Sequence, residues 1–201
     1  MDSGKLQVID PKTTYIDEEA DIGKGTVIYP NTTILGKVKI GKNCEIGPNS
    51  VIQDSEIGDF CVIFFSVVKN SEISDNVDIG PFSHLRGQVK IAERVHIGNY
   101  VEMVRTSVGS NTKVGHVAYL GDCIVGAKVN IGAGTITANY DGVKKHQTII
   151  GDGCFIGSNT VFVAPVKVGS QSKTGAGAVV RDDVPAKTLV VGMPAKFKKK
   201  L

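Results

Sequence analysis

Aliphatic residues recur every six positions through most of this 201-residue chain. They stand at Ile16, Ile22, Ile28, Ile34, Ile40, Ile46 and Ile52, then at Ile57, Ile63, Ile73, Ile79, Leu85, Ile91 and Ile97. After single-residue slips the count resumes at Val108, Val114, Leu120, Val125 and Ile131, and again at Ile150, Ile156, Phe162, Val168, Thr174 and Val180. A helix needs apolar spacing near 3.6 and a half-buried strand needs strict alternation, so a sustained six fits neither alone. It fits a solenoid. Each six residues form a short strand and a turn, three units close a triangular coil, and the aliphatic side chains stack inside on those of the coils above and below. Residues 16–183 predict about nine such coils, with a lead-in at 1–15 and a tail at 184–201.

The fourth residue beyond each aliphatic is small, as at Ala20, Thr26, Thr32, Cys44, Ser50, Cys61, Thr112, Cys154 and Ser172. No large or charged side chain enters that slot. Three of the four cysteines fall in it, and none of the four shows CxxC spacing or a neighbouring histidine, so small buried hydrophobes are expected rather than a dithiol or a metal site. The 24 glycines and absent tryptophan suit many tight turns and few helices. Net charge is +3 and the one basic run is the terminal KFKKKL, too local to argue for a nucleic-acid partner. The opening MDSGKLQVIDPK lacks a positive start followed by an apolar run, and no stretch approaches the roughly 18 apolar residues of a membrane span. A cytoplasmic protein with no membrane contact is the expectation.

A repeat scaffold carries function where it departs from its own pattern. The largest departure follows Ile131, where GAGTITANYDGVKKHQT precedes the restart at Ile150, so a loop at 138–148 must leave one corner. Asp141-Gly142 is a turn signal, and Lys144, Lys145 and His146 form a cation cluster suited to a phosphate, or else a solvated surface. One coil earlier, VGHVAYLGD brings together His116 and Tyr119, each able to hold or exchange a proton; the alternative is a structural histidine. Glu102 lies upstream by nearly one coil, which is expected to stack its carboxylate beside His116 and fix the imidazole tautomer.

Repeats of the form [LIV]-G-x-x-[STAVC]-x resemble those of the hexapeptide-repeat family, which implies a left-handed parallel β-helix. General crossover rules alone would favour the opposite hand. The resemblance also implies a homotrimer with sites between subunits. From about Ile79 to Val184 the segments IGPFSHLRG, VGHVAYLGD and VNIGAGTITANYDGVKKHQTIIGDGCFIGSNTVFVAPVKVG are similar to one branch of it. That branch is the acetyltransferase half of the bifunctional bacterial enzyme glucosamine-1-phosphate acetyltransferase/N-acetylglucosamine-1-phosphate uridyltransferase, in UDP-N-acetylglucosamine and cell-wall biosynthesis.

What that resemblance implies is specific. His116 corresponds to the general base; Arg86, Tyr119, Asn130 and Lys145 to residues holding the amino sugar phosphate; Ala133, Asn139, Tyr140, Ser158 and Ala176 to residues lining the acetyl-CoA site. Direct transfer needs no metal and no acyl-cysteine. Three departures stand out. Val104 replaces a second basic residue of the sugar-phosphate site, with Arg105 next along, and Met193 replaces an arginine that contacts CoA, in a VVGMPAK ending closer to sugar O-acetyltransferases. The repeats also begin by Ile16, with no room for a nucleotidyltransferase domain, so uridylyl transfer is expected from a separate protein. Lys196, Lys198, Lys199 and Lys200 either reach the 3′-phosphate of CoA or form a frayed basic terminus. Acetylation of another sugar or sugar nucleotide, and a non-catalytic β-helix that binds partners, are the competing readings. A zinc β-helix is not expected, since His84, His96 and His116 lack that family's close-paired spacing.

Overall fold

A computed structural model describes residues 4–200; Met1, Asp2 and Ser3 of the lead-in and Leu201 of the tail lie outside them. The described residues form short strands and turns and no helix. They wind as a left-handed parallel β-helix of about ten turns. The six-residue period sets the register directly. In one core column Ile28, Ile46, Ile63, Ile79, Ile97, Val114, Ile131 and Ile156 stack partner on partner through successive parallel pairings. Every one of them is buried. A ladder this uniform removes apolar surface from water at each step, which is the main force holding the coils together.

The slot residues are small because they sit at corners and tie one turn to the next. Thr112 Oγ1 donates to the Gly126 carbonyl at 2.8 Å and accepts from the Val129 amide at 3.0 Å. Thr26 does the same with Gly41 and Cys44. Cys44, Cys61, Cys123 and Cys154 are all buried free thiols.

At both ends the coil outruns the six-residue count. Gln7–Val8 already pairs in parallel with Val27–Ile28, before Ile16. Thr188–Val191 pairs in parallel with Lys173–Thr174, so winding passes residue 183. Lys196–Lys200 then folds back antiparallel on Thr188–Val191. The terminal lysines thus sit on an exposed edge strand rather than on a frayed end, and such lysines blunt an edge that would otherwise pair with another chain.

Two faces of the triangle merge into one 20-stranded sheet while the third forms a separate 9-stranded sheet. Two nine-residue strands, His96–Val104 and Lys113–Gly121, run unbroken around the corner that other coils turn through loops. Gly98 permits it, since a Cβ there would collide with the Gly115 carbonyl.

Candidate active site

His116 lies at the bend of the second long strand, exposed, in register with Asn99 of the first. Its Nδ1 is 2.7 Å from Asn99 Oδ1. A carboxamide oxygen only accepts, so Nδ1 carries the proton and Nε2 keeps its lone pair facing outward. Glu102 is not that partner. It pairs with Tyr119, and its carboxylate takes the Arg86 guanidinium at 2.6 Å. The coil here is 17 residues long, which puts Asn99 rather than Glu102 beneath His116.

Around His116 a groove of about 500 Å³ is lined by His96, Lys113, Asn130, Ala133 and Ser158. The Ala133, Ser158 and Ala176 positions climb one corner, coil by coil, through backbone bonds from Gly134 to Val117, Asn159 to Ala133 and Gly177 to Ser158. On the adjoining face the outward column reads Lys113, Asn130, Phe155, Lys173, Leu189, Lys199. A cationic and aromatic track therefore leads from the imidazole to the C-terminal strand. Met193, at that end, is almost fully exposed.

Arg86 and Tyr119 meet through Glu102, which bonds the Arg86 guanidinium and pairs in register with Tyr119. Gly121 has no side chain, and Asn139 Nδ2 and Tyr119 Oη occupy the space where a Cβ would stand, each 2.6 Å from it. Buried Val104 lines a concavity of about 450 Å³ with Asn70, Arg86, Gln88 and Arg105. Arg105 is committed elsewhere, donating to Asp122 from Nε at 2.5 Å and Nη2 at 2.8 Å. That guanidinium holds the Asp122 carboxyl below the usual carboxylate range, helped by Asn139 and by the charge of Lys145.

The 138–148 loop is more ordered than its sequence suggests. Asp141 accepts from the Val143 amide at 2.7 Å, the Lys144 amide at 2.8 Å and the His146 ring at 2.6 Å. The two amides and the imidazole keep its carboxyl far below the ordinary range. Tyr140 bridges to Lys145 across the loop and its hydroxyl donates to Gly142. Of the expected trio Lys144, Lys145 and His146, the two lysines stay exposed while the His146 ring is bonded to Asp141.

A stripe of bulky side chains ends beside His116. Phe65, Phe82, Tyr100 and Val117 occupy one corner in successive coils, all exposed and all at positive φ, between 43° and 63°. Phe82 and Tyr100 stack with centroids 5.5 Å apart. Among the described residues no group of three or more His, Cys, Asp or Glu is arranged to hold a metal, and no helix is long and apolar enough to cross a membrane.

Comparison with known proteins agrees with the repeat. The family of bacterial transferase hexapeptides (six repeats) matches residues 19–54 and 147–182. The bifunctional protein GlmU of Carboxydothermus hydrogenoformans is 49% identical over 194 residues, 96% of this chain and 44% of that protein. The chain thus spans less than half the length of the curated relatives it matches. Among solved structures, Arabidopsis UDP-N-acetylglucosamine acyltransferase superposes with a TM-score of 0.72 at 22% identity, covering 96% of this chain and 74% of that one. A perosamine N-acetyltransferase mutant from Caulobacter crescentus, solved with CoA and GDP-perosamine, gives 0.55 at 24% identity, covering 62% and 57%. Both share the fold. By its period, its stacked coils and these relatives, the chain belongs to the hexapeptide-repeat family.

Proposed function

We propose that this chain transfers the acetyl group of acetyl-CoA to the amine of an amino sugar phosphate, with glucosamine-1-phosphate as the acceptor. The observation that carries the reading is His116, exposed at the bend, its Nδ1 bonded to Asn99 and its Nε2 open to the groove. Nε2 removes a proton as the amine attacks the thioester carbonyl; the C–N bond forms, the C–S bond breaks, and the proton passes to the departing thiolate. A neighbouring N–H donor steadies the oxyanion of the tetrahedral intermediate. Arg86, Tyr119, Asn130 and Lys145 hold the acceptor. Ala133, Asn139, Tyr140, Ser158 and Ala176 line the donor site; small residues at three of these positions leave the corner open to a long, flexible thioester. Lys173 and Lys199 suit its phosphates. Glu102 keeps Arg86 in place rather than orienting the base.

The reading includes a homotrimer. Holding Phe65, Phe82, Tyr100 and Val117 at left-handed φ costs energy, most for β-branched Val117, and leaves their side chains in water. Burial against a second copy offsets both and covers the corner next to His116. We place the enzyme in the cytoplasm, where acetyl-CoA is available, and assign no uridylyl transfer to the described residues. Thiol release from acetyl-CoA on addition of glucosamine-1-phosphate tests the reading. Release seen only with non-phosphorylated sugars or hydroxyl acceptors, the direction to which Val104 and Met193 point, would replace the acceptor. No binding of acetyl-CoA by titration calorimetry would reduce the chain to a binding scaffold.

A further inference from the structure

We infer that Asp122 is a positioning residue that clamps the 139–148 loop to the solenoid, and that Arg105 locks the clamp; the inference rests on the acetyltransferase reading above. The loop leaves the coil after Ala138 and rejoins it at Thr148, and one residue bonds to both ends, by its side chain at the entry and by its backbone at the exit. At the entry Asn139 Nδ2 donates to Asp122 Oδ2 at 2.5 Å, and at the exit the Thr148 amide donates to the Asp122 carbonyl at 3.1 Å. From the coil below, Arg105 grips the same carboxylate with two bonds. The Asp122 side chain is only 17% exposed, so these charge-assisted bonds form largely out of water, where they are strongest.

What the clamp holds is functional by position. Asn139 Nδ2 and the Tyr119 hydroxyl both stand over Gly121, so the bond that fixes the loop entry also sets the side chain that flanks Tyr119 there. Downstream, the chain carries Lys145, whose charge reaches Asp122. The loop is internally closed around Asp141, so it moves as one piece, and its angle to the solenoid depends on where its two ends are tied. Asp122 itself has its carboxylate filled by Arg105 and Asn139, so its role is to place the loop and not to touch reacting atoms.

The test uses the full chain and two independent measurements. Trypsin cleavage after Lys144 or Lys145 under native conditions reports loop release whether or not the protein is an acetyltransferase. Asp122→Ala is expected to speed that cleavage by about tenfold or more while the global melting transition stays cooperative. In steady-state assays with glucosamine-1-phosphate and acetyl-CoA, Asp122→Ala is expected to raise the acceptor KM more than it lowers kcat. Asp122→Asn, which keeps an oxygen for Asn139 but loses the ion pair, should lie between. If Asp122→Ala fails to fold, Arg105→Lys, which gives up the two-pronged grip, is expected to show both effects in smaller degree. Unchanged cleavage together with unchanged KM values in a folded variant would overturn the clamp. A wild-type protein without acetyl transfer would instead overturn the functional reading and leave the cleavage result to decide the clamp.

Discussion

The coils from Ile22 to Ile79 and the stretch from His96 to Thr148 share a core and differ in nearly everything that faces out. In both, the same column of aliphatic residues stacks without a gap. In the first region strands are two or three residues long, and one outward column carries the simple charges Asp21, Lys39, Glu56 and Glu72. In the second, two nine-residue strands cross a corner, a histidine is held at the bend, a loop is inserted and an ionic clamp ties it down. The solenoid constrains what points inward, and chemistry accumulates where it constrains least.

If that division is right, core substitutions cost the same in either region. Ile46→Ala and Ile131→Ala should each destabilise by about 2–5 kcal/mol in denaturant unfolding. A cost confined to one of them would break the comparison. Next in size, Tyr100→Ser should weaken the proposed trimer by about 2 kcal/mol or more, seen by sedimentation as dissociation at micromolar concentration. Asp78→Asn, on the outward column rather than the stripe, should leave the assembly intact. Lys145→Ala should raise the KM for glucosamine-1-phosphate by about tenfold, as expected for a lost charge-assisted bond, with little change for acetyl-CoA. Equal effects on both would detach Lys145 from the acceptor.

The smallest effect concerns the slot hydroxyls. Thr112 makes two bonds between turns, whereas Thr148 Oγ1, at the end of the inserted loop, is buried without a partner. Thr112→Val should therefore cost about 1–2 kcal/mol and Thr148→Val close to nothing. Melting temperatures of the two variants sharpen the contrast between a regular turn and an interrupted one.

The fold was legible because a period of six allows few other structures, and the same count found the loop. The site was legible in part. His116 and the 138–148 insertion stand out as departures, but Glu102 is the wrong partner for His116 because the 14 residues between them fall short of a full coil; counting back 17 from His116 reaches Asn99. Arg105 and Asp122 left no local signal, since their pairing joins residues 17 apart at a corner where charged side chains are ordinary. The stripe Phe65, Phe82, Tyr100 was equally hidden, because outward corner positions lie outside the hydrophobic repeat. The first and last coils escaped the count because Val8 and Val190 join the stack across irregular spacings.

His116, held by Asn99, is the proposed base of an acetyl transfer. Thiol release from acetyl-CoA in the presence of glucosamine-1-phosphate, measured for wild type and His116→Ala at saturating substrates, tests it most directly. His116→Ala is expected to lower kcat by about 10²-fold or more with an unchanged melting temperature. An unchanged rate in the folded variant would contradict it.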